Sequence, residues 1–259
     1  MAERHEWEGD SPFMYCEKLP TEYDLVFDQY LRARISPEAL DVQLHQEGTD
    51  SNATVHFLLD QILPRMLGER GELVLHGGAI SEAVSEASTL VLLGATGSGK
   101  STLCASFLKD GWSLLSDDCV YIDPDTLRVS GSYPGLRMYQ DSIDSILGQE
   151  TTTSFMAGYS DKQRVCTQLP IMGERGLGAF VVLVPGDDQL KVELLGGSEA
   201  LITVMQETFC LWPSNASAAA ARLSALTKVL SQNIPVYRCQ LPHDYHGLDE
   251  VKTALRELL

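Results

Sequence analysis

A glycine-rich segment near the middle of the chain has the residue types and spacing of a phosphate-binding loop. Residues 94–101 read GATGSGKS and match the pattern G-x-x-x-x-G-K-[ST] in full. In such a loop the glycines let backbone N–H groups converge on phosphate oxygens, and the positive end of the following helix favours the same anion. Lys100 would contact the β- and γ-phosphates of a nucleotide, and the Ser101 hydroxyl would ligate Mg²⁺. We expect the nucleotide to be bound by Gly94, Ala95, Thr96, Gly97, Ser98, Gly99, Lys100, Ser101 and Thr102.

Two adjacent carboxylates follow the next apolar run. Asp117 and Asp118 come directly after WSLLS at 112–116. A Mg²⁺ ion that is held by one hydroxyl and by phosphate oxygens also needs a carboxylate, which usually stands at the end of a neighbouring strand. Adjacent side chains on an extended strand point to opposite faces. One aspartate could therefore ligate Mg²⁺ while the other faces an acceptor hydroxyl.

A histidine precedes the glycine-rich segment. His76 ends the run ELVLH, 18 residues before Gly94, and two glycines follow it. A single histidine in an apolar strand is more often a hydrogen-bonded structural residue than a catalyst. The two glycines would nevertheless let a ligand approach closely at this point.

The elements that must position these residues predict an α/β fold. STLVLL at 88–93 is typical of a buried strand, and KSTLCASFLKDG at 100–111 is typical of a helix that ends at its glycine. Residues 140–170 lack periodicity, which favours a mobile loop such as an active-site lid. The other predicted elements are a helix from 54 that is interrupted at Pro64, a short strand within 71–80, an apolar run at 112–122, two strands within 179–195, helices at 197–210 and 217–231, a strand at 236–241 and a helix at 247–258.

The N-terminal segment differs from the rest of the chain. Residues 1–53 are polar and irregular, and YDLVFDQYLRARI at 23–35 is the only part that indicates order. We therefore predict a short N-terminal appendage, β-rich or loose, over 1–53 and a domain that carries the phosphate loop over 54–259.

Composition excludes several classes of function. The 259 residues include 36 acidic and 19 basic side chains, a net charge of −17, which repels a nucleic acid. No apolar run approaches the roughly 20 residues that span a membrane, and the first residues lack the apolar core of a signal peptide. The six cysteines show no metal-type spacing, and reduced thiols are the simplest interpretation. We expect a cytoplasmic protein that binds neither nucleic acid nor membrane.

Three motifs together resemble the HPr kinase/phosphorylase family, including its shorter relatives known as HPr-type serine kinases. LHGG at 75–78, GATGSGKSTL at 94–103 and GWSLLSDDCV at 111–120 are similar to that family's histidine, phosphate-loop and paired-aspartate motifs, in the same order. The resemblance covers about residues 55–245. It implies a P-loop kinase domain related in fold to phosphoenolpyruvate carboxykinase, with a central mixed sheet flanked by helices.

The resemblance also implies roles for individual residues. Lys100 and Ser101 match the nucleotide and metal residues, and His76 matches the histidine near the phosphates. Asp117 matches the aspartate that acts as base toward the acceptor hydroxyl, and Asp118 matches its neighbour on the metal side; the reverse assignment of the two aspartates stays open. In or near the predicted lid, the basic residues Arg137, Lys162 and Arg164 are candidates to neutralise charge on the transferred group, although each could equally be an ordinary solvated cation.

The activity implied by the resemblance is ATP- and Mg²⁺-dependent transfer of the γ-phosphoryl group to a serine-type hydroxyl. The acceptor could belong to a protein, a peptide (ribosomal peptide natural products included) or a small metabolite. The chain departs from the family in having Thr102 where Glu is usual, in an N-terminal segment too short for the family's separate domain, and in an RGLGAF element that begins 57 residues after Asp118. The alternative hypothesis is a nucleotide-binding switch or ATPase with water as acceptor. A homo-oligomer is compatible with the sequence.

Overall fold

The computed structural model describes most of the chain. The described residues are 3–7, 14–36, 39–44, 51–82, 89–131, 135–156, 158, 160–165, 173–186, 189–241 and 245–259. The PGDD turn predicted between the two strands of 179–195 lies in part outside them, as does part of the predicted lid.

An antiparallel sheet of five strands precedes the helices. Its strands follow one another in chain order. Apolar side chains on one face, such as Leu25 and Leu31, are fully buried, and Phe27 stacks on Phe57 with 4.4 Å between ring centroids. The segment that looked irregular is thus a β-sheet, and its apolar face forms a core together with residues such as Phe57 and Trp212. The strands are β1 (Glu3–Glu6), β2 (Met14–Lys18), β3 (Tyr23–Phe27), β4 (Leu31–Ile35) and β5 (Leu40–Leu44).

A helical segment connects this sheet to the rest of the molecule. It consists of α1 (Ser51–Phe57), a π-helical stretch (Leu58–Ile62) and α2 (Leu63–Glu69). The predicted interruption at Pro64 is wrong, because Pro64 stands in the first turn of α2 and the helix continues for five more residues. Proline is tolerated in a first turn, where its missing N–H costs little.

The central sheet brings the predicted chemistry to one edge. Strand β8 (Thr89–Leu93) is parallel to β15 (Glu174–Pro185) and antiparallel to β7 (Gly77–Ser81), and β7 is antiparallel to β9 (Ser113–Ser116). The carboxyl ends of β8, β9 and β15 therefore meet the start of β7 at the same edge. The other strands are β6 (Val74–Leu75), β10 (Val120–Asp123), β11 (Arg128–Ser130), β16 (Lys191–Leu194) and β17 (Val236–Leu241), the last parallel to β15.

Helices cover both faces of this sheet. Successive residues of β8 alternate between two apolar cores, with Leu90 and Leu92 in one and Val91 and Leu93 in the other. The predicted α/β class, with a mixed sheet flanked by helices, is confirmed at this level. The first core is closed by α3 (Lys100–Lys109), α4 (Gln140–Ile146) and α7 (Leu248–Arg256), and the second by α5 (Gly197–Gln206) and α6 (Ala216–Ser231).

The predicted lid region is more ordered than its sequence indicated. Besides α4 it contains β13 (Thr153–Phe155) and β14 (Gln163–Val165), which form a three-stranded antiparallel sheet with β12 (Leu136–Met138). Strands of three residues are too short to show periodicity, so the pairing across the sheet determines the structure. No helix among the described residues has the length and apolar character needed to cross a membrane.

Candidate functional site

The glycine-rich loop joins the end of β8 to the start of α3. Gly94, Gly97 and Gly99 have φ angles of +133°, +82° and +94°, a region that side chains with a Cβ rarely adopt. A Cβ at Gly94 would also lie 2.5 Å from the carbonyl oxygen of Leu183. The loop therefore needs glycine at these positions, and the predicted strand–loop–helix order is present.

Lys100 folds back along this loop. Its Nζ donates to the carbonyl oxygens of Gly94 at 2.6 Å and Ala95 at 3.1 Å. Burial lowers the pKa of the Lys100 ammonium, whereas the carboxylates of Glu207 and Asp117 act in the opposite direction. The cation is thus held at the loop, where a bound phosphate would compensate its desolvation.

Asp117 lies behind the loop in a bend between β9 and β10. Its side chain is buried, and Oδ2 accepts a hydrogen bond of 2.8 Å from the backbone N–H of Arg137. Burial raises the pKa of Asp117, while Arg137 and the nearby Ser101 side chain favour the charged form. The Ser101 hydroxyl therefore lies next to Asp117, the aspartate predicted to act as the base, whereas Asp118 was the one predicted to share the metal with Ser101.

Asp118 faces the other way, into the cleft. Its Oδ1 lies 3.7 Å from Nε2 of His76, and its Oδ2 forms an ion pair with the Arg137 guanidinium. The expectation that the two aspartates point in different directions holds, but the reason differs. They occupy a bend rather than a strand, so the backbone turn separates their side chains.

His76 lies between two carboxylates. Opposite Asp118, its Nδ1 is 3.9 Å from Oε2 of Glu207, and its backbone N–H donates to the Glu207 carbonyl at 2.8 Å. Burial, with a contribution from the charge of Lys100, lowers the pKa of His76 to about 4. The imidazole is therefore neutral near pH 7 and can donate or accept a proton in a hydrogen bond.

Most of the loop, together with His76 and Asp118, lines one open cleft of about 300 Å³, whereas Asp117 and Glu207 lie outside its lining. Residues 96–102 form its floor, and His76 and Asp118 form one wall together with Arg137. Lys162 also lines the cleft, 5.4 Å from the centre of the Tyr139 ring, whereas Arg164 stands on β14 outside the lining. The cleft thus brings together the three motifs and two of the three candidate cations.

Comparison with known proteins adds little to this geometry. No protein-family model matches the chain, and no curated protein matches it. Among solved structures, the chain is similar to the Hpr(Ser) kinase/phosphatase from Coxiella burnetii, with 10% sequence identity and a TM-score of 0.35 over 71% of this chain and 94% of that chain. At that TM-score the likeness establishes neither a common fold nor a common activity.

The residues at the site fit a phosphate group and a metal bound chiefly by other ligands. The glycine loop forms a turn with positive φ angles at Gly94, Gly97 and Gly99, and Lys100 supplies a cation beside it. Within the described ranges, no cluster of three or more His, Cys, Asp or Glu side chains could hold a metal. Ser101 and one aspartate instead suit an ion such as Mg²⁺, which keeps water and phosphate oxygens as most of its ligands.

Sequence reasoning missed several residues of the site. Glu207 ends α5 with no motif around it, and only the fold brings it to His76. Asp60 and His56 meet Arg137 from the helical segment. A carboxylate within the apolar run FLLDQIL was a signal that could have indicated Asp60, since a buried charge needs a partner.

Proposed function

We propose that this chain is an ATP- and Mg²⁺-dependent phosphotransferase that transfers the γ-phosphoryl group to a serine-type hydroxyl. The observation that supports this most is the convergence, at one sheet edge, of the glycine loop with the paired aspartates. A glycine-rich turn without a function would not require a buried lysine, a hydroxyl–carboxylate pair and a second carboxylate at the same edge of the sheet.

The loop and its lysine account for nucleotide binding. Backbone N–H groups of residues 95–101 and the start of α3 favour the phosphates, and Lys100 neutralises part of their charge. Mg²⁺, when bound, supplies further neutralisation of the phosphate oxygens. Ser101 and an aspartate would hold it.

The geometry favours exchanging the roles that the resemblance implied for the aspartates. Asp117 is buried beside Ser101, which suits the metal side. Asp118 lines the cleft beside His76, which suits a base for the acceptor hydroxyl. We therefore propose Asp118 as the group that receives the acceptor proton and Asp117 as the group that holds Mg²⁺ with Ser101.

Neighbouring groups support these two carboxylates. His76, neutral near pH 7, can hydrogen-bond to the acceptor hydroxyl or to a phosphate oxygen. Arg137 and Lys162 place positive charge on the cleft wall, where negative charge develops during transfer. Protein, peptide and small-metabolite acceptors all remain candidates for the open cleft, in a cytoplasmic setting.

The test follows ¹⁸O from γ-labelled ATP in the purified protein with Mg²⁺. The acceptor panel contains HPr, serine-terminated peptides, free serine and small hydroxylated metabolites, and Lys100→Ala is the control. A labelled phosphoester that forms with the original protein and not with Lys100→Ala supports the kinase hypothesis. Labelled inorganic phosphate alone, across the whole panel, supports the ATPase alternative. Failure of the protein to bind Mg²⁺-ATP would overturn both hypotheses.

A further inference from the structure

Arg137 connects the cleft to a buried charge cluster in the helical segment. Its Nη2 pairs with Asp118, and its Nη1 lies 2.9 Å from Oδ2 of Asp60. The same Nη1 contacts Nδ1 of His56 and lies 3.1 Å from its Nε2, and this Nδ1 is 2.5 Å from Oδ2 of Asp60. The arginine is itself buried, as are Asp60 and His56, so its contacts with these two residues are shielded from solvent.

The partner side of this cluster is rigidly held. Asp60 is 1% exposed and belongs to the π-helical stretch Leu58–Ile62. Such stretches insert an extra residue into a helical turn and occur frequently at functional sites. The adjoining residues Phe57 and Ile62 pack into the core of the N-terminal sheet. Asp60 therefore offers Arg137 a fixed anchor rather than a flexible surface contact.

The position of Arg137 affects both site carboxylates. Its backbone N–H donates to Asp117, and its guanidinium meets Asp118. Burying a carboxylate such as Asp60 is costly unless a cation and hydrogen bonds compensate for it. A helix built only for packing would place an apolar residue there.

We propose that Asp60, together with His56, is a positioning residue that holds the Arg137 guanidinium against Asp118 at the cleft. The effect on turnover rests on the proposed function, whereas the coupling between Asp60 and Arg137 does not. Groups that face His56 are Asp60, Arg137 and Arg164, and burial lowers the pKa of the imidazole. Asp60 and His56 therefore act by holding the Arg137 guanidinium in one position, and the proposal does not depend on a change of protonation.

The kinetic test is a double-mutant cycle of Asp60→Asn and Arg137→Gln, with turnover of ATP measured under saturating ATP. Asp60→Asn should lower kcat roughly 10- to 100-fold with little change in the KM for ATP, because misplacing a group by about 1 Å has this effect. In the Arg137→Gln background, the same substitution should change kcat less than about twofold, since it has nothing left to position. Equal losses in both backgrounds would overturn the proposal.

Urea unfolding of the same four proteins tests the contact without any activity. Arg137→Gln should lower the unfolding midpoint, because it leaves Asp60 buried without its cation. Adding Asp60→Asn should lower the midpoint no further. A double variant whose midpoint falls by the sum of the two single changes contradicts the coupling. If none of the four proteins turns over ATP, the proposed function fails. The urea unfolding midpoints still decide whether Asp60 holds Arg137.

Asp24→Asn is the matched control, since Asp24 is also a buried carboxylate paired with an arginine. Its Oδ1 and Oδ2 accept hydrogen bonds of 2.9 and 3.0 Å from Nε and Nη2 of Arg34 in the N-terminal sheet. Asp24→Asn should lower the unfolding midpoint and leave kcat unchanged. If it lowers kcat as much as Asp60→Asn does, the loss reflects general damage and the positioning role is overturned. If Asp60→Asn does not fold, His56→Gln replaces it in the cycle. His56→Gln should then lower kcat several-fold when Arg137 is present and should have little effect in the Arg137→Gln variant.

Discussion

The backbone N–H of Arg137 donates to Oδ2 of Asp117 over 2.8 Å, a contact between residues that are 20 positions apart in the chain. It attaches strand β12 to the bend that carries the aspartates. Because this hydrogen bond uses the main chain, the Arg137 side chain remains directed at Asp118. Two adjacent carboxylates therefore have different surroundings, and they should respond differently to substitution.

Asp118→Asn should abolish phosphoryl transfer while leaving the affinity for Mg²⁺-ATP within about threefold of the original. The carboxylate on the cleft wall would act on the acceptor proton, which forms no part of nucleotide binding. Single-turnover assays combined with calorimetric titration of a non-hydrolysable ATP analogue measure the two effects separately.

Asp117→Asn should have the complementary effect. It should weaken Mg²⁺-dependent nucleotide binding, because it removes the proposed metal ligand beside Ser101. Comparing analogue affinity with and without Mg²⁺ measures this effect. If Asp117→Asn abolishes transfer with affinity intact and Asp118→Asn loses the Mg²⁺ dependence, the assignment implied by the family resemblance is correct instead.

Lys100→Ala should weaken ATP binding and turnover together, with turnover reduced about 100- to 1,000-fold, as for the loss of one well-placed donor. Nζ contacts loop carbonyls at 2.6 and 3.1 Å and so stands where the phosphates would lie. Lys109→Ala, at the exposed end of α3, is the control and should leave both quantities unchanged. Unaltered ATP affinity in Lys100→Ala would contradict the phosphate-loop placement.

His76 should make stability depend on pH in acid. Its pKa is lowered from 6.5 to about 4, so the unfolded chain binds the proton more tightly between these values. The contribution of His76 to stability is fully present above about pH 6.5 and is lost as the pH falls toward 4. Urea midpoints at pH 7.5 and 5 should differ less in His76→Gln than in the original protein. An equal pH dependence in both would show that the imidazole titrates normally.

Gly94→Ala should destabilise the protein more than Gly97→Ala does. Both glycines have a positive φ, which costs an alanine about 1–2 kcal/mol. Only at Gly94 would the added Cβ also meet a backbone oxygen, at 2.5 Å, whereas nothing lies within 4 Å of a Cβ at Gly97. Urea unfolding measures both variants, and equal losses would indicate that the loop shifts freely.

Local patterns were sufficient to predict the elements around the glycine loop. The strand at 88–93 and the helix at 100–111 are found as Thr89–Leu93 and Lys100–Lys109. Their signals, a short apolar run and a periodic segment ending at glycine, depend on neighbouring residues alone. In contrast, β13 and β14 have three residues each and are stabilised by pairing between strands, so the sequence between 140 and 170 looked like a loop.

By itself, the sequence was sufficient to predict a phosphate-loop site, because such a loop is a contiguous pattern of glycine, lysine and serine whose geometry follows from backbone rules. It also determined that the chain can form an α/β core. Only the tertiary structure decided which aspartate faces the cleft. It also placed Glu207 beside His76 and Asp60 beside Arg137. Those relations depend on strand order and on helix packing over long sequence separations, where burial and charge pairing act between residues that no local pattern connects.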